Sequence, residues 1–533
     1  MSRLPTHLFA SLILSGVTFG QQIGHQSELG PSPPVPVARF GDSLSLDGSI
    51  LVVGAWRESF AGETRGAAYV FRRDASGVFA QEQRLARTVL SNFTGHFGHA
   101  VSTDAGRILV SGDGSSTADE YAVVYEWNAQ LGWTEQDRLE HPTPWTTGGT
   151  TFGWASSLSG DLAVIGAPYD QNSSQLHTGS AYAFRYGAGG WVFESALEAF
   201  DGGVGNNFGR SVAASGEWVV VGAIIAGSGA GSAYVFRSTA NGWSTLGHLP
   251  FPQSGSPADY RGWCVATDGD WIFVGAPATD NGPNNNTGVV FAFQRQAGSW
   301  LYSQTIAPVT EAPIGGYGFG VSVDVSGDLL SVGTLDGDEA QLFRLVGGVW
   351  TPAGFLRLEP GSASPGGLGQ RVTVDGQTVV AAAPLNNEIL AQMGRAYVFD
   401  LAGTVTDLCP NPPNSTGSPA DLQVWGPIGL AANDLVLVAQ SVPDEFGLVV
   451  MGTNRDTIPL GTGTLCVGFP FHRSAATLAS GNVLSVPLDF GNLPPGAGPI
   501  APGETWYFQA WHRDPSGPPG FGLSNALGIA FVP

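Results

Sequence analysis

Lysine is absent from this 533-residue chain, and charge of any kind is sparse: 12% of residues are charged, and all 22 basic residues are arginines. The missing lysines exclude Schiff-base chemistry and the phosphate-binding lysine of a P-loop. Against 44 acidic residues the arginines leave a net charge of −22, which argues against nucleic acid or an anionic membrane surface as partner. Cysteine is limited to Cys264, Cys409 and Cys466, too scattered for a zinc site. No apolar run reaches the roughly 20 residues of a membrane helix, so no membrane span is expected. His-Glu-x-x-His is missing, Gly-x-Ser-x-Gly does not occur at a strand-to-helix turn, and no amphipathic helix of useful length can be traced. What the chain does have is 77 glycines, 36 prolines and 43% apolar residues spread evenly, which excludes disorder. Its length exceeds a single compact domain.

Arg3 opens a short basic region, an apolar run follows from Leu8 to Phe19, and Gln21-Gln22 is polar. This is the three-part pattern of a secretory leader, residues 1–20, cut after Gly20. A secreted or cell-envelope protein is expected. In an oxidising compartment Cys409 and Cys466 can pair, whereas Cys264 sits in an apolar strand and reads as a buried free thiol.

Repetition is the strongest signal. Phe40-Gly41, Phe97-Gly98, Phe152-Gly153, Phe208-Gly209, Arg261-Gly262, Phe319-Gly320 and Leu368-Gly369 start seven segments, with successive glycines 57, 55, 56, 53, 58 and 49 residues apart. Seven residues on comes a turn glycine, usually after Asp or Ser, as in Asp47-Gly48 and Asp375-Gly376; in the second segment Gly106 is one residue late. Asp-Gly here predicts a two-residue hairpin turn with both central residues at positive φ. A β-rich run then ends in Val53-Gly54-Ala55 or a relative such as Val274-Gly275-Ala276. A third run carries Ala68-Tyr69-Val70-Phe71 or Ala181-Tyr182-Ala183-Phe184, and a fourth passes through Trp133, Trp191, Trp243, Trp300 or Trp350. Four short strands repeated seven times predict an all-β fold, a seven-bladed β-propeller over residues 21–405. The seventh repeat lacks a clear fourth strand, and Ile23 to Leu29 resembles the missing piece, so the N-terminal segment is expected to close the ring.

The Phe-Gly start and the Val-Gly-Ala-Pro end, complete at Ala167-Pro168 and Ala276-Pro277, resemble the FG-GAP repeat of integrin alpha-chain propellers and its variant in bacterial exported proteins. The resemblance spans roughly residues 36–400. It implies a propeller and an extracellular binding or adhesion role. The family's calcium loops need oxygen ligands at alternate positions. Here the corresponding connection is a tight turn, and Asp268-Gly269-Asp270 and Asp336-Gly337-Asp338 are too short, so family calcium binding is not carried over and no cofactor is expected.

Connections between second and third strands, and from blade to blade, are long and polar and emerge on one face, the usual place for recognition. Candidate ligand contacts on them are Tyr169, Asp170, Asn172, His177, Asp280 and Asn284. His96 and His99 lie close together without an obvious third metal ligand. A Pro/Asn/Ser/Gly stretch, residues 406–419, reads as a linker. Residues 420–533 show short strand-like runs with Gly/Pro turns, which predicts a β-sandwich. The run Trp506 to Asp514 loosely resembles C-terminal modules of exported planctomycete-like bacterial proteins. Its Tyr507 and Trp511 read either as packing residues or as a sugar-stacking platform. The expected function is a monomeric, non-catalytic binding protein for an extracellular protein or glycan. The alternatives are a carbohydrate-binding or polysaccharide-processing protein, and a structural envelope or matrix component.

Overall fold

The computed structural model describes residues 21–531, apart from 24–26, 61–62, 75–76, 88–95, 114–119, 144–149, 172–177, 253–255, 281–285, 310–317, 359–365, 387–390, 402–404, 410–411, 426–434, 462, 502–503 and 518. The expected leader, residues 1–20, lies outside the described residues.

Seven four-stranded antiparallel units follow one another. Their inner strands are Ser43–Asp47, Ala100–Asp104, Ala155–Ser159, Phe208–Ser215, Val265–Thr267, Val323–Ser326 and Arg371–Asp375. Each inner strand packs on that of the next unit, and the seventh on the first, so the units are the blades of a β-propeller around a central channel. Among the described residues no helix is long and apolar enough to cross a membrane.

The second strands explain the continuous apolar runs. All six residues of Ile50–Ala55 are buried, as are those of Leu162–Ala167 and Trp218–Ala223. Alternate side chains serve opposite neighbours: Val52 packs with Ile108 and Val110 of the second blade, while Leu51 and Val53 pack with Val380 and Ala382 of the seventh. Both faces are covered, so no polar alternation is needed. One such core lies between each pair of neighbouring blades, round to the seventh-to-first junction.

The motif residues build these junctions. Phe40, Phe97, Phe152, Phe208 and Phe319 are sealed inside them. Arg261 replaces the phenylalanine in the fifth repeat; its guanidinium lies 4.9 Å over Phe251, 5.2 Å over Phe291 and 3.3 Å from Asp259. The two repeated glycines form one backbone contact: a Cβ on Gly54 would lie 2.0 Å from the Gly98 oxygen, and one on Gly166 2.0 Å from the Gly209 oxygen. The tyrosine of the third strand anchors the loop before it. Tyr69 donates to Glu58 at 2.6 Å, and Tyr182 donates to Asp170.

The first hairpin turn differs from the expectation. Asp47 pairs with Ile50 in the ladder, so Gly48 and Ser49 are the central residues, and only Gly48 has positive φ, at 55°. The aspartate is therefore not a turn residue. Its position serves the neighbouring blade: Asp375 accepts from the Gly48 N–H at 2.7 Å, Ser159 from Gly216 at 3.0 Å and Ser326 from Gly376 at 3.0 Å. The late glycine of the second repeat belongs to a turn with both central residues at positive φ, Ala105 at 51° and Gly106 at 76°.

The strand Ser27–Leu29 pairs antiparallel with Arg395–Asp400 and is the outer strand of the seventh blade; Glu28 and Arg395 form an ion pair at 2.6 Å. Gln21–Ile23 runs parallel to the outer strand of the sixth blade, pairing Ile23 with Leu356, and on its other side pairs Ile23 with Val424. It thereby joins the propeller to the C-terminal domain. That domain has two main sheets and a separate two-stranded hairpin, Arg455–Leu460 with Gly463–Val467. Asp421–Trp425, Leu435–Gln440 and Val483–Leu488 form one, and Val405–Leu408, Phe521–Ala530, Thr505–Arg513 and Phe446–Gly452 the other. Leu437, Val486, Met451, Phe508 and Ile529 meet between them, making a β-sandwich. Part of the stretch expected as a linker is thus a strand, because Val405–Leu408 completes the ladder beside Phe521–Ala530. Cys409, directly after it, is disulfide-bonded to Cys466.

Candidate functional site at the mouth of the central channel

The residue following each repeat glycine stands at the start of the inner strand. This column reads Asp42, His99, Trp154, Arg210, Trp263, Val321 and Gln370, and it rings the channel on the long-loop side. The residues after the second strands, Trp56-Arg57 in the first blade and Tyr169 in the third, reach the same place.

An unbroken arc of rings results. Trp56 lies 4.6 Å from His96 and 6.0 Å from His99; His99 lies 4.7 Å from Trp154, and Trp154 lies 6.3 Å from Tyr169. The Nδ1 atom of His99 is 3.0 Å from the Trp154 carbonyl oxygen. Arg210 continues the arc. Its guanidinium lies 4.8 Å from the Trp154 ring and 4.6 Å from the Trp263 ring, sandwiched between indoles of the third and fifth blades. Tyr260 follows at 5.9 Å from Trp263. At the other end Arg57 stacks 5.1 Å over Trp56, whose indole N–H donates to Asp42. Arg39 also reaches Asp42, at 3.4 Å, so that carboxylate is committed.

The two central arginines differ from this pair. Arg371 of the seventh blade donates through Nε to the Asp42 carbonyl at 2.7 Å and through Nη1 to the Gln370 carbonyl at 2.8 Å, and it forms no ion pair with a carboxylate among the described residues. The guanidinium of Arg210 has no hydrogen-bond or carboxylate partner among the described residues. Burial, with the charge of Arg371 adding to it, pulls its pKa down to about 10. Cys264 lies near enough to both cations to feel their charge. Its thiol donates to the Gly320 carbonyl at 3.1 Å, the place where Ser43 bonds Gly98 and Ser211 bonds Gly262, both at 2.9 Å. Burial pushes this thiol up to about 12. The far mouth of the channel has the opposite sign: Asp47 is raised above the usual carboxylate range by burial and by Asp104 and Asp375.

Of the residues singled out from sequence, Tyr169 is 53% exposed and belongs to the arc. Asp170, expected as a ligand contact, is 1% exposed; its carboxylate takes the Tyr182 hydroxyl and lies 3.3 Å from His141 Nε2, so it anchors the fold. Asp280 is exposed and accepts from the Asn286 N–H at 2.9 Å, holding its own loop. Asn172, His177 and Asn284 lie outside the described residues. Tyr507 and Trp511 are half-buried against Val450, Leu465, Val467 and Leu523 in the sandwich, with Trp511 stacked 5.9 Å from Phe521. Among the described residues no group of three His, Cys, Asp or Glu side chains is placed to hold a metal ion. Asp268 instead accepts the N–H groups of Asp270 at 2.9 Å and Trp271 at 2.8 Å within its turn. The sequence reading missed Trp56, Trp154, Arg210 and Trp263. For Trp154, Arg210 and Trp263 the signal was the column after the repeat glycine, which varies freely while its neighbours repeat; Trp56 stands where Pro168 and Pro277 complete the Gly-Ala-Pro end.

Comparison with known proteins agrees with the architecture. Residues 24–71, 133–184, 191–236 and 251–293 match the FG-GAP repeat. The class is thus a β-propeller, four segments of which are similar to the FG-GAP repeat, followed by a β-sandwich. No curated protein matches the chain. Among solved structures, a protein from Lactobacillus plantarum is 15% identical, with a TM-score of 0.40, over 61% of this chain and 85% of that one. A proposed 6-phosphogluconolactonase from Bacteroides uniformis is 13% identical, with a TM-score of 0.43, over 64% and 90%. The β-propeller domain of Cps50 (Swd1) from Myceliophteria thermophila is 10% identical, with a TM-score of 0.40, over 66% and 93%.

Proposed function

We propose that this is an exported, non-catalytic binding protein that uses the long-loop face of its propeller to hold an extracellular protein or glycan. The observation that carries this reading is the arc from Trp56 to Trp263, to which five blades each contribute a side chain. A recognition surface needs polar and aromatic groups held on rigid elements. Here each group is fixed at the start of an inner strand or the end of a second strand. The site offers ring faces and guanidinium donors, and its nearest carboxylate, Asp42, is already held by Trp56 and Arg39. That composition supports binding over acid–base chemistry. Export is supported by the leader pattern and by the Cys409–Cys466 disulfide.

The test is an array of glycans and extracellular proteins probed with the mature protein and with its Tyr169→Ala and Trp56→Ala variants. Binding that the two variants weaken supports the reading. Binding that neither variant alters would sink it.

A further inference from the structure

The charge at the channel mouth runs against the rest of the molecule. The chain carries −22 overall, and many arginines elsewhere are matched with an acid, as Arg107 is with Glu126 at 2.6 Å, Arg344 with Asp328 at 2.9 Å and Arg295 with Asp270 at 2.5 Å. At the mouth, two guanidiniums from opposite sides of the ring, Arg210 and Arg371, approach closely enough that the charge of Arg371 adds to burial in lowering the pKa of Arg210. Neither has a carboxylate partner among the described residues. Placing like charges together in a partly buried site is costly unless something compensates them. Among the described residues the titratable groups that act on Arg210 are Arg371, Tyr169 and Cys264, and none is a carboxylate that would supply that compensation. The indole N–H of Trp154 beside them is also buried with no partner.

We propose that the mouth of the central channel is an anion site, and that its ligand is the carboxylate or sulfate group of an acidic glycan. The inference rests on the binding role proposed for this face and names the chemistry of the ligand. An arginine presents a planar fork of donors that matches the oxygens of a carboxylate or sulfate. Sandwiching Arg210 between Trp154 and Trp263 holds that fork in one plane, which removes the rotamer entropy a free arginine loses on binding. Arg371 is held in the same way by the carbonyls of Asp42 and Gln370. The glycan part of the assignment comes from the arc, whose exposed Tyr169 and half-buried Trp56 and Tyr260 lie on both sides of the cations. An apolar sugar face stacks on such rings while its acidic group is held at the centre.

Isothermal titration of the mature protein with three hexasaccharides tests this: an oligogalacturonate, a chondroitin sulfate and a neutral cello-oligosaccharide. At least one acidic oligomer is expected to bind and the neutral one not, with affinity falling as salt rises. Binding of the galacturonate alone assigns a carboxylate, of the sulfated oligomer beyond the galacturonate a sulfate, and equal binding the shared oxyanion chemistry. Arg210→Gln removes the fork without breaking a hydrogen bond of the fold and should weaken binding at least tenfold. Arg210→Lys, which keeps the charge but not the plane, should fall between. Silence with all three, equal binding of the neutral oligomer, or unchanged affinity in Arg210→Gln would overturn the anion site. If Tyr169→Ala abolishes binding that Arg210→Gln leaves intact, the face is a binding face and the anion assignment alone is wrong.

Discussion

Asp324 is the position where the repeat tests itself. Four residues after the repeat glycine, Ser45, Ser102 and Ser157 each accept an N–H of the next blade, from Thr103 at 2.9 Å, Leu158 at 2.9 Å and Ala214 at 3.0 Å. In the sixth blade Asp324 does this for Val374 at 2.8 Å, and also accepts the Thr373 hydroxyl at 2.9 Å. Burial raises its pKa from 3.8 to about 6, overriding those hydrogen bonds. The native state therefore binds more protons than the unfolded chain between pH 3.8 and 6. Stability from this group is present below about pH 4 and is lost as pH rises through 6. At ~1.4 kcal/mol per pH unit, the shift amounts to about 3 kcal/mol. Replacing Asp324 with Ser restores the solution used by the first three blades and removes the titration. Its cost at pH 4 is the lost Thr373 bond, about 1 kcal/mol. At pH 7 it should be the more stable protein by about 2 kcal/mol. Urea unfolding of both proteins at pH 4 and pH 7, followed by tryptophan fluorescence, reads this directly. A stability difference between the two proteins that is the same at both pH values would refute the buried-carboxylate argument.

Gly166→Ala forces a methyl group to within 2.0 Å of the Gly209 oxygen and should destabilise the propeller by about 1–3 kcal/mol in the same assay, whereas Gly160→Ala has open space and only a φ of +58° against it. Native Cys264 should resist a thiol reagent at pH 8, since its thiolate is disfavoured up to about 12, and rapid labelling of the folded protein would contradict its role as a buried latch. Reducing the Cys409–Cys466 bond opens a loop with a separation of 57 residues and should cost the sandwich about 4 kcal/mol by loop entropy. Calorimetry should then show the C-terminal transition moving more than the propeller's. Removing residues 21–35 strips the outer strand from the seventh blade, and an unchanged melting curve would show that closure is not what Ser27–Leu29 contributes.

Much of this architecture was legible because a repeat reports each contact several times over. The Phe-Gly and Val-Gly-Ala positions recur because each junction needs a sealed ring and a close backbone approach, and those needs are local enough to be written in every copy. The turn aspartate was legible as a position and misread as to cause. Asp375 sits before Gly376 in sequence, yet its hydrogen bond goes to Gly48, in the blade that closes the ring with its own. Asp170 was misread for the same reason. A polar residue on a long loop looks like a ligand contact until the fold brings Tyr182 and His141 against it.

By itself, the sequence determined the blade count, the all-β class and the order of strands, because hydrophobic periodicity and turn glycines act over a few residues and repeat. It also determined that any concentration of positive charge must be made of arginine. Only the tertiary structure decided where that concentration falls. Arg210 and Arg371 are 161 positions apart in the chain, and Trp154 and Trp263 are 109 apart. What joins them is the closure of the ring, which turns the one or two residues after each repeat glycine into part of one rim. A site assembled from one side chain per blade leaves no contiguous motif, since its geometry belongs to the circle rather than to any segment of it.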